Sequence, residues 1–441
     1  MIDTLISNVT VVTMNERMEV LFGACIGISG QKIAYIGKKP PQEQPETIID
    51  GTGMVAMPGL VNCHTHLAST VLRGYWDDAP AQEALEGLLA RQAKLDHRSA
   101  KASALLGLAE CLRFGITSVS DLYICPEATA EAAAEVGIKA NIALAAARFE
   151  DDSAEFDFET DAQCQLLCDL ADKWHGYDNG RIRIDAGLYA EYTSNYLLWE
   201  ALSDYANEKG LGMQLHLAQT LQEAEDCLDR TGLNPAELLD CHRVFSVPAA
   251  AAGCAALTEE ERKLLAKRKT SAVLTPLADA KAGQQSASVL QTVKAGMNVA
   301  LGTGGAAECG NLDLFEVMRQ AAVSARQEAG RPEALPAAAV LMMATTCGAR
   351  AQGRADVTGM LKEGMDADLI LVDFSAPHLM PCHNVMNSLV FGAKGCDVAL
   401  TMVQGKVLYR SGNFLTVDLN AVVEELMGYA IGHVFEENPV S

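Results

Sequence analysis

The chain has 441 residues, 49% hydrophobic and 21% charged, an ordinary composition for a folded protein with room for one large and one smaller core. Its formal net charge of −23 excludes nucleic acids and anionic membranes as favoured partners, because their phosphates would be repelled. With 13 cysteines, no Cys-x-x-Cys pair, no signal-like leader and no apolar run of twenty residues, the sequence predicts a cytoplasmic protein with reduced thiols and no membrane span.

Both ends of the chain carry short β-like segments. Residues 1–57 alternate between apolar and polar positions, with glycine-containing turns between the segments. Short β-like segments occur again after residue 360. Residues 398–409 are typical of a hairpin, and residues 418–431 of a closing helix. We therefore predict one small β-sandwich domain, built from residues 1–57 and 360–441, with a C-terminal helix.

The middle of the chain, residues 58–359, alternates between short apolar strands and longer helical stretches. Repeated β-then-α order implies a parallel sheet with crossover helices, and the length suits an α/β fold of the (β/α)₈ (TIM-like) barrel type. In such barrels the chemistry lies at the carboxyl ends of the strands. Besides the run that ends at His66, the predicted strands are residues 117–121, 140–144, 183–188, 213–217, 271–275 and 298–303.

Two histidines end the apolar run 54–61 that opens this region. His64 and His66 are separated by one residue, so on a strand both side chains point the same way and can aim at one metal ion. A strand end that merely carries two histidines is the alternative, but only nine histidines occur in the chain. His216 lies near the end of the later predicted strand 213–217. The three residues predict a metal site.

These segments occur together with further motifs spread over almost the whole chain. The motifs are residues 57–66, 72–75, 216–220, 247–248, 257–260, 301–307 and 364–369. In this order they resemble the amidohydrolase superfamily, most closely the branch of adenosine-type, guanine and triazine aminohydrolases and chlorohydrolases. The resemblance implies one divalent metal, with zinc favoured, held by the His-x-His pair, a fifth-strand His and an eighth-strand Asp. His64, His66 and His216 match the three histidine ligands. It also implies hydrolysis of a C–N or C–Cl bond on a heterocyclic ring, with Glu, His and Asp side chains moving protons.

The chain departs from the family pattern at those proton-moving positions. Gln219 stands where the family has Glu, and an amide cannot take a proton at neutral pH. Gly253 and Gly304 stand where the family has the sixth-strand His and the eighth-strand Asp. Tyr189 replaces a histidine expected on the substrate side. Even one such loss is expected to cripple hydrolysis by the family mechanism, since a positioned acid or base contributes roughly 10²–10⁴ in rate.

Other residues could supply what is missing. Asp279, Glu308 and Cys309 follow predicted strand ends and could reach the space opened by Gly304, although solvated loop residues and a packed thiol are the simpler interpretation. At the pocket rim, Glu83 and Trp76 are candidate substrate-binding residues together with Tyr189. An acidic residue at the start of a helix is also favourable without any ligand.

Three hypotheses follow. The favoured one is a metal-dependent hydrolase or deaminase by descent whose catalytic acid and base positions are lost, leaving a pseudoenzyme. The first alternative is an active zinc hydrolase with a rebuilt site, and the second is a non-catalytic scaffold or ligand-binding subunit. For its partners we expect a small heterocyclic ligand and further copies of the same chain in a homo-oligomer.

Overall fold

The computed structural model describes residues 2–148 and 156–435. Its strands are β1 (Thr4–Val12), β2 (Val20–Ser29), β3 (Lys32–Gly37), β4 (Thr47–Asp50), β5 (Met54–Pro58), β6 (Leu60–His66), β7 (Ile116–Tyr123), β8 (Lys139–Leu144), β9 (Ile182–Ile184), β10 (Ala186–Leu188), β11 (Met213–Leu217), β12 (Ala249–Gly253), β13 (Ser271–Leu274), β14 (Asn298–Leu301), β15 (Gly304–Gly305), β16 (Leu369–Asp373), β17 (Val398–Val403), β18 (Lys406–Arg410) and β19 (Asn413–Phe414).

The helices lie mostly between the strands of the middle region. They are α1 (Ala81–Gln92), α2 (His97–Arg113), α3 (Pro126–Val136), α4 (Ala162–Trp174), α5 (Tyr177–Gly180), α6 (Tyr196–Lys209), α7 (Leu221–Thr231), α8 (Pro235–Cys241), α9 (Glu259–Arg268), α10 (Pro276–Lys281), α11 (Val289–Lys294), α12 (Ala306–Cys309), α13 (Leu314–Ala329), α14 (Ala337–Met343), α15 (Thr346–Ala351), α16 (Val385–Phe391), α17 (Leu419–Glu425) and α18 (Ile431–Phe435). In the described part of the chain, none of these helices has both the length and the apolar character needed to cross a bilayer.

The middle strands form two parallel sheets of five strands each, in the orders β15-β6-β7-β8-β9 and β10-β11-β12-β13-β14. Two barrel strands are interrupted, and the two halves of each belong to different sheets. Asp185 alone separates β9 from β10, and Gly302-Thr303 separates β14 from β15. Because β15 pairs with β6, the eighth barrel strand lies beside the first. The chain is therefore an α/β protein with a TIM-like barrel, as the sequence predicts.

The chain ends build one nine-stranded sheet in the order β19-β18-β17-β16-β5-β1-β2-β3, with β4 added alongside β1. The antiparallel pairing of β5 with β16 joins the amino-terminal strands to the carboxyl-terminal ones. Residues such as Ile6, Val11 and Ile26 are fully buried in a core that belongs to this sheet. This is the β unit expected from both chain ends, while its boundaries at residues 57 and 360 stay predictions.

Three local features differ from the sequence expectations. The alanine-rich β12 is a buried strand, although alanine has a low strand propensity and the residue pattern alone predicts no strand there. The predicted strand 183–188 is interrupted at Asp185. The predicted closing helix is α17 followed by a π-helical turn at Leu426–Ala430 and then α18.

Candidate metal centre

The three histidines predicted from the sequence converge at one end of the barrel. One ring nitrogen from each of His64, His66 and His216 lies within 4.8 Å of those from the other two. The first two residues come from β6 and the third from β11, so the cluster joins two strands on different sheets. His64 and His216 are 5% and 4% exposed. The cluster is thus a buried, preformed set of imidazoles.

Hydrogen bonds fix which nitrogen the rings of His66 and His216 present to the cluster. His216 Nδ1 donates to the Tyr189 carbonyl oxygen at 2.7 Å, which leaves His216 Nε2 as the free nitrogen. His66 Nδ1 lies 3.2 Å from Glu308 Oε1, and His66 Nε2 is buried without a hydrogen-bond partner among the described residues. Such outer partners are how proteins orient metal-binding imidazoles.

The electrostatics of the two deeper rings suit a cation. Burial, followed by the charges of His66 and His216, lowers the pKa of His64 well below its usual value. Burial and the charge of His66 likewise lower the pKa of His216 to about 4. Both rings are therefore neutral at physiological pH, which is the form that binds a metal. The orphaned His66 Nε2 and this three-imidazole donor set fit zinc or a similar divalent ion.

His66 behaves differently because a carboxylate faces it. Burial acts to lower the pKa of His66, but the charge and hydrogen bond of Glu308 outweigh it and raise that pKa. The pKa of Glu308 shifts in the opposite direction. Burial acts to raise its pKa, and the charge and hydrogen bond of His66 outweigh it and lower that pKa. Glu308 lies in α12 and contacts His66, which differs from the expected solvated loop residue, although its side chain is 36% exposed.

Position 304 lies beside the histidine pair. Gly304 pairs with Thr65, between His64 and His66, where β15 meets β6. The preceding break in the strand is clamped by Asn62, whose side chain donates to Thr303 Oγ1 at 2.8 Å and accepts from Thr303 N at 3.1 Å. The backbone around position 304 is thus held beside the histidines, and the glycine there offers no side chain.

Positions 219 and 253 face each other across β11 and β12. A Cβ atom on Gly253, which has φ +94°, would lie 2.6 Å from Gln219 Cγ, so the Gln219 side chain covers this glycine. The turn before Gln219 is held by Glu223, whose carboxylate accepts from Ala218 N at 2.8 Å and Gln219 N at 2.7 Å. Ala218 has φ +46°, an uncommon conformation for a residue other than glycine. The residue that this turn positions, Gln219, has a neutral amide side chain.

The two other replacement candidates do not contact the histidines in the same way. Thr275 Oγ1 donates to Asp279 Oδ1 at 3.1 Å, and burial raises the pKa of Asp279 to about 6. Asp279 lies in α10 and is partly buried, which differs from the expected solvated loop residue. Cys309 is buried, and that burial, with the charges of Glu316 and Glu308, raises the pKa of its thiol to about 12. A thiol that stays protonated is a poor metal ligand or nucleophile.

The three predicted rim residues do not lie together around the histidine cluster. The Tyr189 ring lies 5.1 Å from the His216 ring, measured between centroids. Trp76 packs edge-to-face on Tyr75 and lines a surface cavity of about 370 Å³ to which none of the three histidines contributes. Glu83 is an exposed residue in the first turn of α1. Of the three, only Tyr189 is brought to the histidine cluster by a described contact.

Sequence reasoning missed two residues that shape the site. Tyr123 stacks on His66 with a centroid distance of 5.1 Å. Asp121 Oδ1 accepts from Thr65 Oγ1 at 2.9 Å and from Leu67 N at 2.7 Å, which fixes the end of β6. Burial raises the pKa of Asp121 to about 6. The sequence feature that could have indicated Asp121 and Tyr123 is their position at the carboxyl end of β7, the strand next to β6.

Comparison with known proteins agrees with this geometry. Residues 55–408 match the model of the amidohydrolase family. The chain is 35% identical to a 5-methylthioadenosine/S-adenosylhomocysteine deaminase of Moorella thermoacetica, over 91% of this chain and 93% of the relative. It is also 35% identical to a 5'-deoxyadenosine deaminase of Methanosarcina acetivorans, over 96% and 97%. A crystal structure of an adenosine deaminase from Xanthomonas campestris with bound zinc superposes with a TM-score of 0.90 at 29% identity, covering 97% of each chain.

Proposed function

The chain belongs to the amidohydrolase family, and from this premise we propose that it binds a divalent metal and an adenine-nucleoside-like ligand without deaminating it at the rate of an ordinary family enzyme. One observation carries the proposal. Three imidazoles converge within 4.8 Å, while the three positions around them that should move protons hold an amide and two glycines.

The metal would be held by His64, His66 and His216, with zinc favoured by the three-nitrogen donor set. When bound, such an ion supplies Lewis-acid activation of water and of the substrate. The zinc-bound structural relative supports this assignment. The ligand class is supported by the relatives named as deaminases of 5-methylthioadenosine, S-adenosylhomocysteine and 5'-deoxyadenosine.

Deamination also requires proton transfer by the protein. Water adds to a ring carbon and ammonia leaves, so both protons of the water must move, one to the adjacent ring nitrogen and one to the departing amino group. Gln219 can orient a ligand through its amide but accepts no proton at neutral pH. Gly253 and Gly304 offer no side chain. Because groups that act as a unit are not additive, we expect a total deficit of at least roughly 10²–10⁴ in rate rather than the product of three losses.

The test compares wild-type protein, loaded with zinc, with the variant Gln219→Glu/Gly304→Asp, which leaves position 253 unchanged because a Cβ atom there would crowd Gln219. Binding of 5'-deoxyadenosine and 5-methylthioadenosine is measured by calorimetry, and turnover by ammonia release. We expect wild type to bind without appreciable turnover, and the double variant to gain at least about 10² in rate. Wild-type turnover with kcat/KM in the usual enzyme range of about 10⁴–10⁸ M⁻¹s⁻¹ would refute the proposal.

A second candidate function, an active hydrolase with a rebuilt site, is favoured by one specific contact. Glu308 Oε1 lies 3.2 Å from His66 Nδ1, and the other oxygen, Oε2, is buried without a hydrogen-bond partner among the described residues. A carboxylate in that position could accept a proton. If this candidate is right, the wild-type turnover seen in the assay is abolished by Glu308→Gln and retained in Asp279→Asn.

A further inference from the structure

The space beside the histidines at position 304 is open. Among the described residues, a Cβ atom on Gly304 would have just two atoms within 4 Å, Ala278 Cβ and Glu308 Cβ, both at 3.9 Å. Gly304 has φ +67°, a conformation that aspartate tolerates better than most residues. The local backbone could therefore carry an acidic side chain. Since it does not, any negative charge for a buried dication has to come from elsewhere.

Glu308 supplies a carboxylate to this space from four residues further along the chain. It lies in α12, and its side chain folds back over β15, so that Oε2 would be 2.2 Å from a Cβ atom on Gly305. Oε1 lies 3.2 Å from His66 Nδ1. The Glu308 side chain is 36% exposed and that of His66 is 13% exposed, yet Oε2 itself is buried. The carboxylate thus points inward, toward the histidine cluster.

We infer that Glu308 is a positioning carboxylate for His66 and provides the metal site with the negative charge that position 304 lacks. This inference rests on the metal site proposed above. By accepting a hydrogen bond from Nδ1, Glu308 fixes the ring tautomer that leaves the His66 Nε2 lone pair free for the ion. It also reduces the net charge of a buried site that otherwise contains only neutral ligands and a dication.

The experiment measures zinc affinity by competition with a chromophoric chelator, and the absorption spectrum of the cobalt-substituted protein. The proteins are wild type, Glu308→Gln, the matched carboxylate control Asp279→Asn, and His216→Ala. We expect Glu308→Gln to weaken zinc binding by about 10- to 100-fold and to change the cobalt spectrum. Asp279→Asn should match wild type because its carboxylate is bonded to Thr275 rather than to a histidine.

A rescue variant separates charge and positioning from general structural damage. In the Glu308→Gln background, Gly304→Asp returns a carboxylate to the open space, and most of the lost zinc affinity should return. The thermal midpoints of the metal-free proteins are compared in parallel, and we expect those of wild type and Glu308→Gln to agree. A lowered metal-free midpoint with no rescue by Gly304→Asp would assign the effect of Glu308 to folding and overturn the inference.

The remaining outcomes separate this inference from the proposed function. If wild type binds zinc, His216→Ala does not, and Glu308→Gln binds as tightly as wild type, then the metal site stands and the role of Glu308 is refuted. If wild type binds no zinc at all, the proposed function fails and the inference fails with it.

Discussion

A buried lysine connects the barrel to the terminal sheet and allows a quantitative prediction of stability. Lys139, at the start of β8, is 1% exposed at its side chain, and its Nζ lies 2.6 Å from Asp366 Oδ2 and also contacts Asp368. Each carboxylate has a second partner. Lys32 Nζ lies 2.6 Å from Asp366 Oδ1, and Gln404 N donates to Asp368 Oδ1 at 2.8 Å. Replacing Lys139 would thus leave two buried, partly compensated negative charges.

We predict that Lys139→Met lowers the free energy of unfolding by about 3 kcal/mol, the lower end of the range for breaking a buried ion pair, because the second partners remain. The matched control is Lys362→Met, which removes an exposed ion pair with Glu16 at 2.8 Å and should leave the free energy of unfolding close to that of wild type, because solvent screens such pairs. Guanidinium denaturation curves for the three proteins provide the comparison. A loss below about 1 kcal/mol for Lys139→Met, or equal losses in both variants, would refute the reasoning.

Two further predictions concern stability. Burial acts to raise the pKa of Asp366, but the charges and hydrogen bonds of Lys139 and, to a lesser extent, Lys32 together outweigh it and lower that pKa. Ionised Asp366 therefore contributes fully to the free energy of unfolding above the unfolded-state pKa of about 3.9, and this contribution is lost as the pH falls through the lower folded-state pKa. The difference in free energy of unfolding between wild type and Lys139→Met, measured by denaturation curves, should accordingly decrease at acid pH. Gly253→Ala should destabilise by about 1–3 kcal/mol more than Gly232→Ala, because both positions have positive φ but only the former crowds Gln219. Equal losses in thermal or chemical unfolding would contradict that argument.

The barrel and the three histidines could be predicted from sequence because their determinants are local. Period-two spacing places His64 and His66 on one side of a strand, and the β-then-α rhythm places His216 at the same end of the barrel. The β-rich chain ends likewise predict the terminal sheet. The residue pattern of the alanine run in β12 does not predict a strand, because pairing with β11 rather than intrinsic propensity makes it one.

The role of Glu308 could not be read from the sequence in the same way. Its contact with His66 spans 242 positions and depends on a side chain folding back over two glycines. Solvation of a loop residue is the ordinary expectation for such a glutamate. The same holds for Asp121 and Tyr123, whose positions at a strand end were visible but whose directions were set by packing. Local pattern predicts where a site lies, and three-dimensional contacts decide which side chains complete it.

The central claim is that three imidazoles still form a working metal site in this barrel. The most direct test is the metal content of the purified, unchelated protein, measured by inductively coupled plasma mass spectrometry beside His216→Ala. We predict a near-stoichiometric divalent metal in wild type and its loss in the variant. An absence of metal in wild type even after zinc loading, or full retention in His216→Ala, would contradict the claim.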